Sequence, residues 1–137
     1  MNDAPQAGTQ AARDGVSVLI VGEAGDGLLF TGNVLARVLK RHGWRTLTYR
    51  NFPSNIRGEE SAYTIRASRR KVFGRPDGVD VLLAFDCAQC RKHIAHVRPG
   101  GVVLCDGEDA KCCGGRSPSK FSFYRFFMRR AAREAFG

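Results

Sequence analysis

The sequence predicts a single α/β domain built on a doubly wound, mostly parallel sheet with helices on both faces. Three observations carry this expectation. Residues 16–21 (VSVLIV) form a short, nearly continuous apolar run, the pattern of a strand covered on both faces. A glycine-rich turn follows, Gly22-Glu23-Ala24-Gly25-Asp26-Gly27, and passes into a stretch with helical spacing. Two further buried-type runs, residues 79–85 (VDVLLAF) and 102–105, are separated by a short segment that can wind into a helix. With 137 residues the chain has room for one domain with a real core.

Residues 1–15 are small and polar and include Asp3 and Asp14. They lack the basic start and apolar centre of a secretory signal, so they read as a disordered lead-in and the cytoplasm is the expected location. After the glycine turn, Leu28, Val34, Leu35, Val38 and Leu39 recur at helical spacing, with Arg37, Lys40 and Arg41 on the other face and in the last turns. Gly43 follows where a helix C′ glycine belongs. Residues 45–49 (RTLTY) are strand formers, so the expectation is a parallel pair joined by a right-handed crossover.

Residues 50–60 (RNFPSNIRGEE) are too polar and broken for regular structure. Residues 61–68 alternate Ala62, Thr64 and Arg66 against Tyr63, Ile65 and Ala67, which predicts a strand with one exposed face at or near an edge. Residues 87–97 predict a short helix stopped by Pro99-Gly100-Gly101, and the last recognisable strand ends at Asp106. Residues 107–120 read as a polar linker. Residues 121–136 (FSFYRFFMRRAAREAF) read as a basic amphipathic helix, with Phe123, Phe127 and Ala131 on one side and Arg125, Arg129 and Arg133 on another.

Charge and cysteine usage narrow the function classes. The net charge of +9 suggests nucleic acid, yet residues 1–110 hold 15 Lys/Arg against 12 Asp/Glu, while residues 111–137 hold 7 against 1. The body is only mildly basic, so nucleic acid is not the expected partner. No run of 18 apolar residues occurs, so no membrane span is expected. The five cysteines, at 87, 90, 105, 112 and 113, are expected as free thiols. Cys87 and Cys90 have the spacing of half a metal site, but the adjacent Cys112 and Cys113 make an awkward second half, and no metal is assigned. His42, His93 and His96 read as surface or helix-end residues.

The glycine turn is the strongest chemical feature. A strand, glycines and a helix N-terminus place backbone N–H groups at the carboxyl edge of the sheet, where a phosphate or carboxylate fits. The order G-x-x-G-x-G departs from the dinucleotide pattern, and Tyr49-Arg50-Asn51 stand where a ribose-binding acid would be. Glu23 and Asp26 add negative charge that opposes a pyrophosphate. The loop after residue 50 carries Arg50 and Arg57 with Ser54, Asn55 and Ser61, groups able to receive an anion or a partner's carboxylate.

Four stretches in order, VGEAGDGLLFTGNVLARVLKRHG, TYRNFPSNIRGEESAYTIRAS, DVLLAFD and VRPGGVVLCD, resemble the gamma domain of pyruvate, 2-oxoglutarate and ketoisovalerate ferredoxin oxidoreductases. The resemblance covers about residues 16–106, and Glu59 stands where that family often has a second glycine. It implies a subunit without the catalytic centre, supporting coenzyme-A-dependent oxidative decarboxylation of a 2-oxoacid with electrons passed to ferredoxin. The partners implied are the thiamine-binding alpha and beta subunits. Thiamine diphosphate, iron–sulfur clusters and coenzyme A belong to the assembled enzyme, none being held by this chain alone. Carried over position by position, Gly22, Gly25, Asp26, Gly27, Ser54, Arg57 and Gly58 become ligand or subunit contacts, and no residue becomes a catalytic acid, base or nucleophile.

Residues 107–137 do not resemble the usual continuation of that domain, which implies a fold cut short after its last recognisable strand. Truncation with a replaced reading frame, a divergent short subunit and an added basic docking helix all account for such a tail. The competing functional classes are a stand-alone nucleotide- or anion-binding module and an inactive fragment.

Overall fold

The structure, a computed structural model, describes residues 15–23, 25, 27–51, 60–71, 74, 78–107 and 120–136, all but the side chain of Arg129. The lead-in and most of the linker at 107–120 lie outside them. The elements in chain order are β1 (Gly15–Glu23), α1 (Leu28–Arg41), β2 (Arg45–Asn51), β3 (Glu60–Ser68), β4 (Val79–Ala84) and α2 (Cys87–His93). A 3-10 turn (Ile94–His96), β5 (Val97–Asp106), β6 (Phe121–Phe126) and α3 (Met128–Phe136) complete the described chain.

The six strands form one sheet in the order β2-β3-β1-β4-β5-β6. Pairings β1–β4, β4–β5 and β5–β6 are parallel, and β3 runs antiparallel to both its neighbours. The α/β class is as expected. Helices lie on both faces, α1 over Val18, Ile20, Tyr63 and Ile65, and α2 over Leu19, Val21, Leu82 and Val103. This explains the unbroken apolar run of β1: odd and even residues both reach a core.

One pairing differs from expectation. β1 and β2 run in the same direction but are not neighbours, because β3 lies between them, matched to β1 from Gly15↔Ser68 to Glu23↔Glu60. The physical reason is polarity. A strand beside β1 must be apolar on the α1 face, and β3 offers Tyr63, Ile65 and Ala67 there, each at most 1% exposed. β2, with Arg45, Thr48 and Arg50, is largely exposed and suits the edge, where charge discourages pairing with another chain. β3 is therefore next to the edge, as its alternation predicts.

Two boundaries also move. The helix expected over residues 87–97 ends at His93 and passes through the 3-10 turn, so Pro99 sits inside β5. Residues 121–136, expected as one helix, divide into β6 and α3. β6 pairs with β5 from Gly101↔Phe121 to Asp106↔Phe126 and buries Phe121 under the α2 side. Backbone groups of β5 that would otherwise form an open edge thereby find partners.

Candidate functional site

In an open α/β sheet, ligands gather beyond the carboxyl ends of the strands, where successive connections leave for opposite faces. That point lies between β1 and β4. The chain leaves β1 for α1 on one face and leaves β4 for α2 on the other. Phe85 N–H donates to Val21 O at 3.0 Å, tying the two strands at that edge.

Gly22 is buried near the end of β1, paired with Ser61. Gly25 and Gly27 both have left-handed backbone, with φ of 96° and 78°. Gly27 caps α1, and its carbonyl accepts Thr31 N–H at 2.9 Å and Thr31 Oγ1–H at 3.1 Å. Among the described residues no side chain caps the first N–H groups of α1, and its first turn holds no acid. A Cβ built on Gly27 meets nothing within 4 Å, so the glycine is required by its dihedral and not by crowding. Gly27→Ala is expected to cost about 1–2 kcal/mol of left-handed strain, read as a lowered urea midpoint; an unchanged midpoint would show that the turn relaxes.

Of the predicted contact residues, the structure brings Gly22, Gly25 and Gly27 together at this edge. Asp26, Ser54, Arg57 and Gly58 lie outside the described residues. The two ends of their loop are described, and both are anchored. At the β2 end, Arg50 Nη2 donates to Asn33 Oδ1 at 3.2 Å, and Tyr63 O–H donates to the same oxygen at 2.9 Å. The Arg50 guanidinium also lies 5.5 Å from the centre of the Tyr63 ring. At the β3 end, Glu60 pairs with His93 and, at 3.6 Å, with Lys92, both from α2. Ser61 beside it has a buried hydroxyl with no partner among the described residues. Asn33 and Tyr63 were missed by sequence reasoning. The available signal was a polar residue, Asn33, on the sheet side of α1.

Further along the same edge, Asp86 caps α2 by accepting Gln89 N–H at 2.8 Å. It borders a cavity of about 550 Å³ shared with Cys87, Asp106, Phe127, Arg130 and Arg133. α3 thus sets two arginines against the acids that end β4 and β5.

Cys90 and Cys105 form no disulfide, as expected, and are fully buried. Cys87 departs from the expectation of free thiols: it is disulfide-bonded. Its place at the half-buried start of α2 leaves it reachable, whereas the other two are sealed in the core. Cys105 Sγ lies 4.0 Å from Cys87 Sγ. Contact with the Cys90 side chain, then burial, then the negative charge of Cys90, Asp86 and Asp106, push the Cys105 thiol far above its ordinary value. These contacts favour its neutral thiol form. Among the described residues, no three His, Cys, Asp or Glu side chains are grouped to hold a metal ion.

Together these features define an open, doubly wound α/β domain with its glycine turn at the carboxyl edge of the sheet. The sequence profile of the pyruvate ferredoxin/flavodoxin oxidoreductase family matches residues 17–137, and the chain belongs to that family. It is 31% identical, over 91 residues, to 2-oxoacid:ferredoxin oxidoreductase 2 subunit alpha of Aeropyrum pernix, a match covering 66% of this chain and 14% of that protein.

Among solved structures it resembles 2-oxoglutarate:ferredoxin oxidoreductase from Magnetococcus marinus, with TM-score 0.78 and 25% identity over 89% of this chain and 21% of the other. It also shares its fold with the gamma subunit of a keto/oxoacid ferredoxin oxidoreductase from Geobacter sulfurreducens (TM-score 0.72, 22% identity, 90% and 66% covered). A pyruvate oxidoreductase subunit from Thermotoga maritima has the same fold (TM-score 0.73, 13% identity, 89% and 67% covered). The chain thus spans 14% and 21% of the lengths of the Aeropyrum and Magnetococcus proteins. No helix among the described residues is long and apolar enough to cross a membrane.

Proposed function

We propose that this chain is the gamma-type component of a cytoplasmic 2-oxoacid:ferredoxin oxidoreductase. It supports coenzyme-A-dependent oxidative decarboxylation of a 2-oxoacid by assembling with thiamine-diphosphate-binding subunits, which with the iron–sulfur clusters supply the redox chemistry. The observation that carries this reading is the family match over residues 17–137, joined to likeness with a Magnetococcus enzyme described with 2-oxoglutarate, coenzyme A and succinyl-CoA bound. The chain's own part is to present an edge. Gly22, Gly25, Asp26 and Gly27, with Ser54, Arg57 and Gly58 of the following loop, make ligand or subunit contacts and no chemical step. The anchoring of both loop ends, by Asn33 and Tyr63 on one side and by α2 on the other, suits that role, because a contact loop gains from fixed roots.

Purification of the tagged protein from its own cells tests the reading. A thiamine-enzyme subunit is expected to copurify in fixed ratio, with 2-oxoacid- and coenzyme-A-dependent reduction of ferredoxin in that fraction. Recovery of the chain without such a subunit counts against it.

A further inference from the structure

The two faces of β4 and β5 are unequally covered. On the α2 side, Leu82, Ala84, Val103 and Cys105 are sealed at 0% exposure. Val81, Leu83, Val102 and Leu104 alternate with them, point to the α1 side, and stay half-buried. β6 extends this surface, because Tyr124 stands in register with Leu104 and is 54% exposed. Parallel strands of this apolar kind are normally covered on both faces. Among the described residues, α1 lies over the β1 and β3 half of its side, and Met128 of α3 reaches the same core.

α1 walls this open half. Leu28, Gly32 and Ala36 form its buried line. Asn33, which meets Tyr63 and Arg50, marks the flank turned to β3 and β2. At ~100° per residue, Val34 and Val38 fall on the other flank, toward β4, and they are 43% and 45% exposed. A shallow apolar groove therefore runs beside α1, with Val34 and Val38 in its wall, β4 and β5 as its floor and Tyr124 at its far side.

Size and charge select the occupant. β6 has 6 residues, so three strands at ~4.8 Å spacing and ~3.3 Å per residue offer about 300 Å². A stable dimer needs ~800 Å² from each copy, whereas a single helix ~10 Å across fits such a strip. The wall is basic: α1 carries Arg37, Lys40 and Arg41 and no acid. Arg37 and Arg41 are exposed on its outer surface and have no acid partner among the described residues. We propose that this groove receives one amphipathic helix of a partner protein chain. The helix sets its apolar side on β4, β5 and β6 and a row of Asp or Glu against Arg37 and Arg41. It lies beside α1 and completes the layer on that side of the sheet.

Photo-crosslinking in the protein's own cells tests the groove, with p-benzoylphenylalanine in place of Tyr124 in the tagged full chain. Illumination is expected to join residue 124 to one segment of a different protein. Mass spectrometry is expected to find apolar residues there at helical spacing, with Asp or Glu along one flank. Arg37→Gln/Arg41→Gln, confirmed as folded by circular dichroism, is expected to lower the crosslink yield at least threefold. Arg91→Gln, on the opposite face, is expected to leave it unchanged. A crosslink to a second copy, to residues 1–14 or 107–120 of the same chain, to lipid, or to a segment without that pattern overturns the proposal. So does the absence of a crosslink, an unchanged yield in the Arg37/Arg41 variant, or an equal loss in the Arg91 variant. Copurification of a thiamine-binding subunit is scored separately: if it persists while residue 124 stays unjoined, the assembly reading stands and the groove fails.

Discussion

Gly32→Ala is expected to cost the fold about 2–3 kcal/mol, and Gly32→Val to prevent stable folding. Gly32 is the point where α1 lies flat on β3. A Cβ there would stand 2.6 Å from Cδ1 and Cγ of Tyr63 and 2.8 Å from Cδ2, inside any real contact distance. The ring has no room to retreat. Tyr63 is 1% exposed, and its hydroxyl is committed to Asn33 on the same helix. The helix must therefore lift, loosening Leu28 and Ala36 from the core of that face. A mid-helix glycine is itself unfavourable by ~1 kcal/mol relative to alanine, so helix propensity predicts the opposite sign. Urea unfolding followed by far-ultraviolet circular dichroism and by the fluorescence of the single tryptophan, Trp44, decides between them. A midpoint equal to or above that of the parent protein refutes the close-packing argument. The same variant should lose the Arg50–Asn33 contact at the root of the loop, so weakened assembly is expected alongside weakened stability.

The parts of the fold that were legible are those whose burial is written in local sequence. β1 shows its two covered faces in an unbroken apolar run, and β3 shows its single core face in the alternation of Tyr63, Ile65 and Ala67. Pairing was less legible, because a strand's neighbour is chosen by long-range competition. β3 displaced β2 from β1 by offering a better apolar face. Residues 121–126 show the same limit. Phe123 and Phe127 fit a helical period, while Phe121 and Phe123 fit a strand period with Ser122 and Tyr124 outward. The unpaired edge of β5 settles the matter, and no window around residue 121 contains it. At the candidate site, the glycines announced the turn, and positive φ at Gly25 and Gly27 gives them a physical reason. Asn33 and Tyr63 could not be found that way, since they meet across 30 residues of sequence.

Asp80 presents the same difficulty in stronger form, its partner Ser17 being 63 residues away. Asp80→Ala is expected to cost about 3 kcal/mol, and Asp80→Asn about 1 kcal/mol. Ser17 is 2% exposed, so its N–H, which donates to Asp80 Oδ2 at 2.8 Å, cannot turn to water when the carboxylate is removed. The Ser17 hydroxyl is better protected: Gly78 O accepts it at 2.7 Å, and the Asp80 N–H donates to it at 3.2 Å in either variant. Asparagine keeps an acceptor for the Ser17 N–H and gives up the ion pair with Arg98, which is modest because the two side chains are 31% and 17% exposed. Urea titrations of both variants should therefore separate by about 2 kcal/mol. Equal losses would mean that charge, not the buried N–H, dominates.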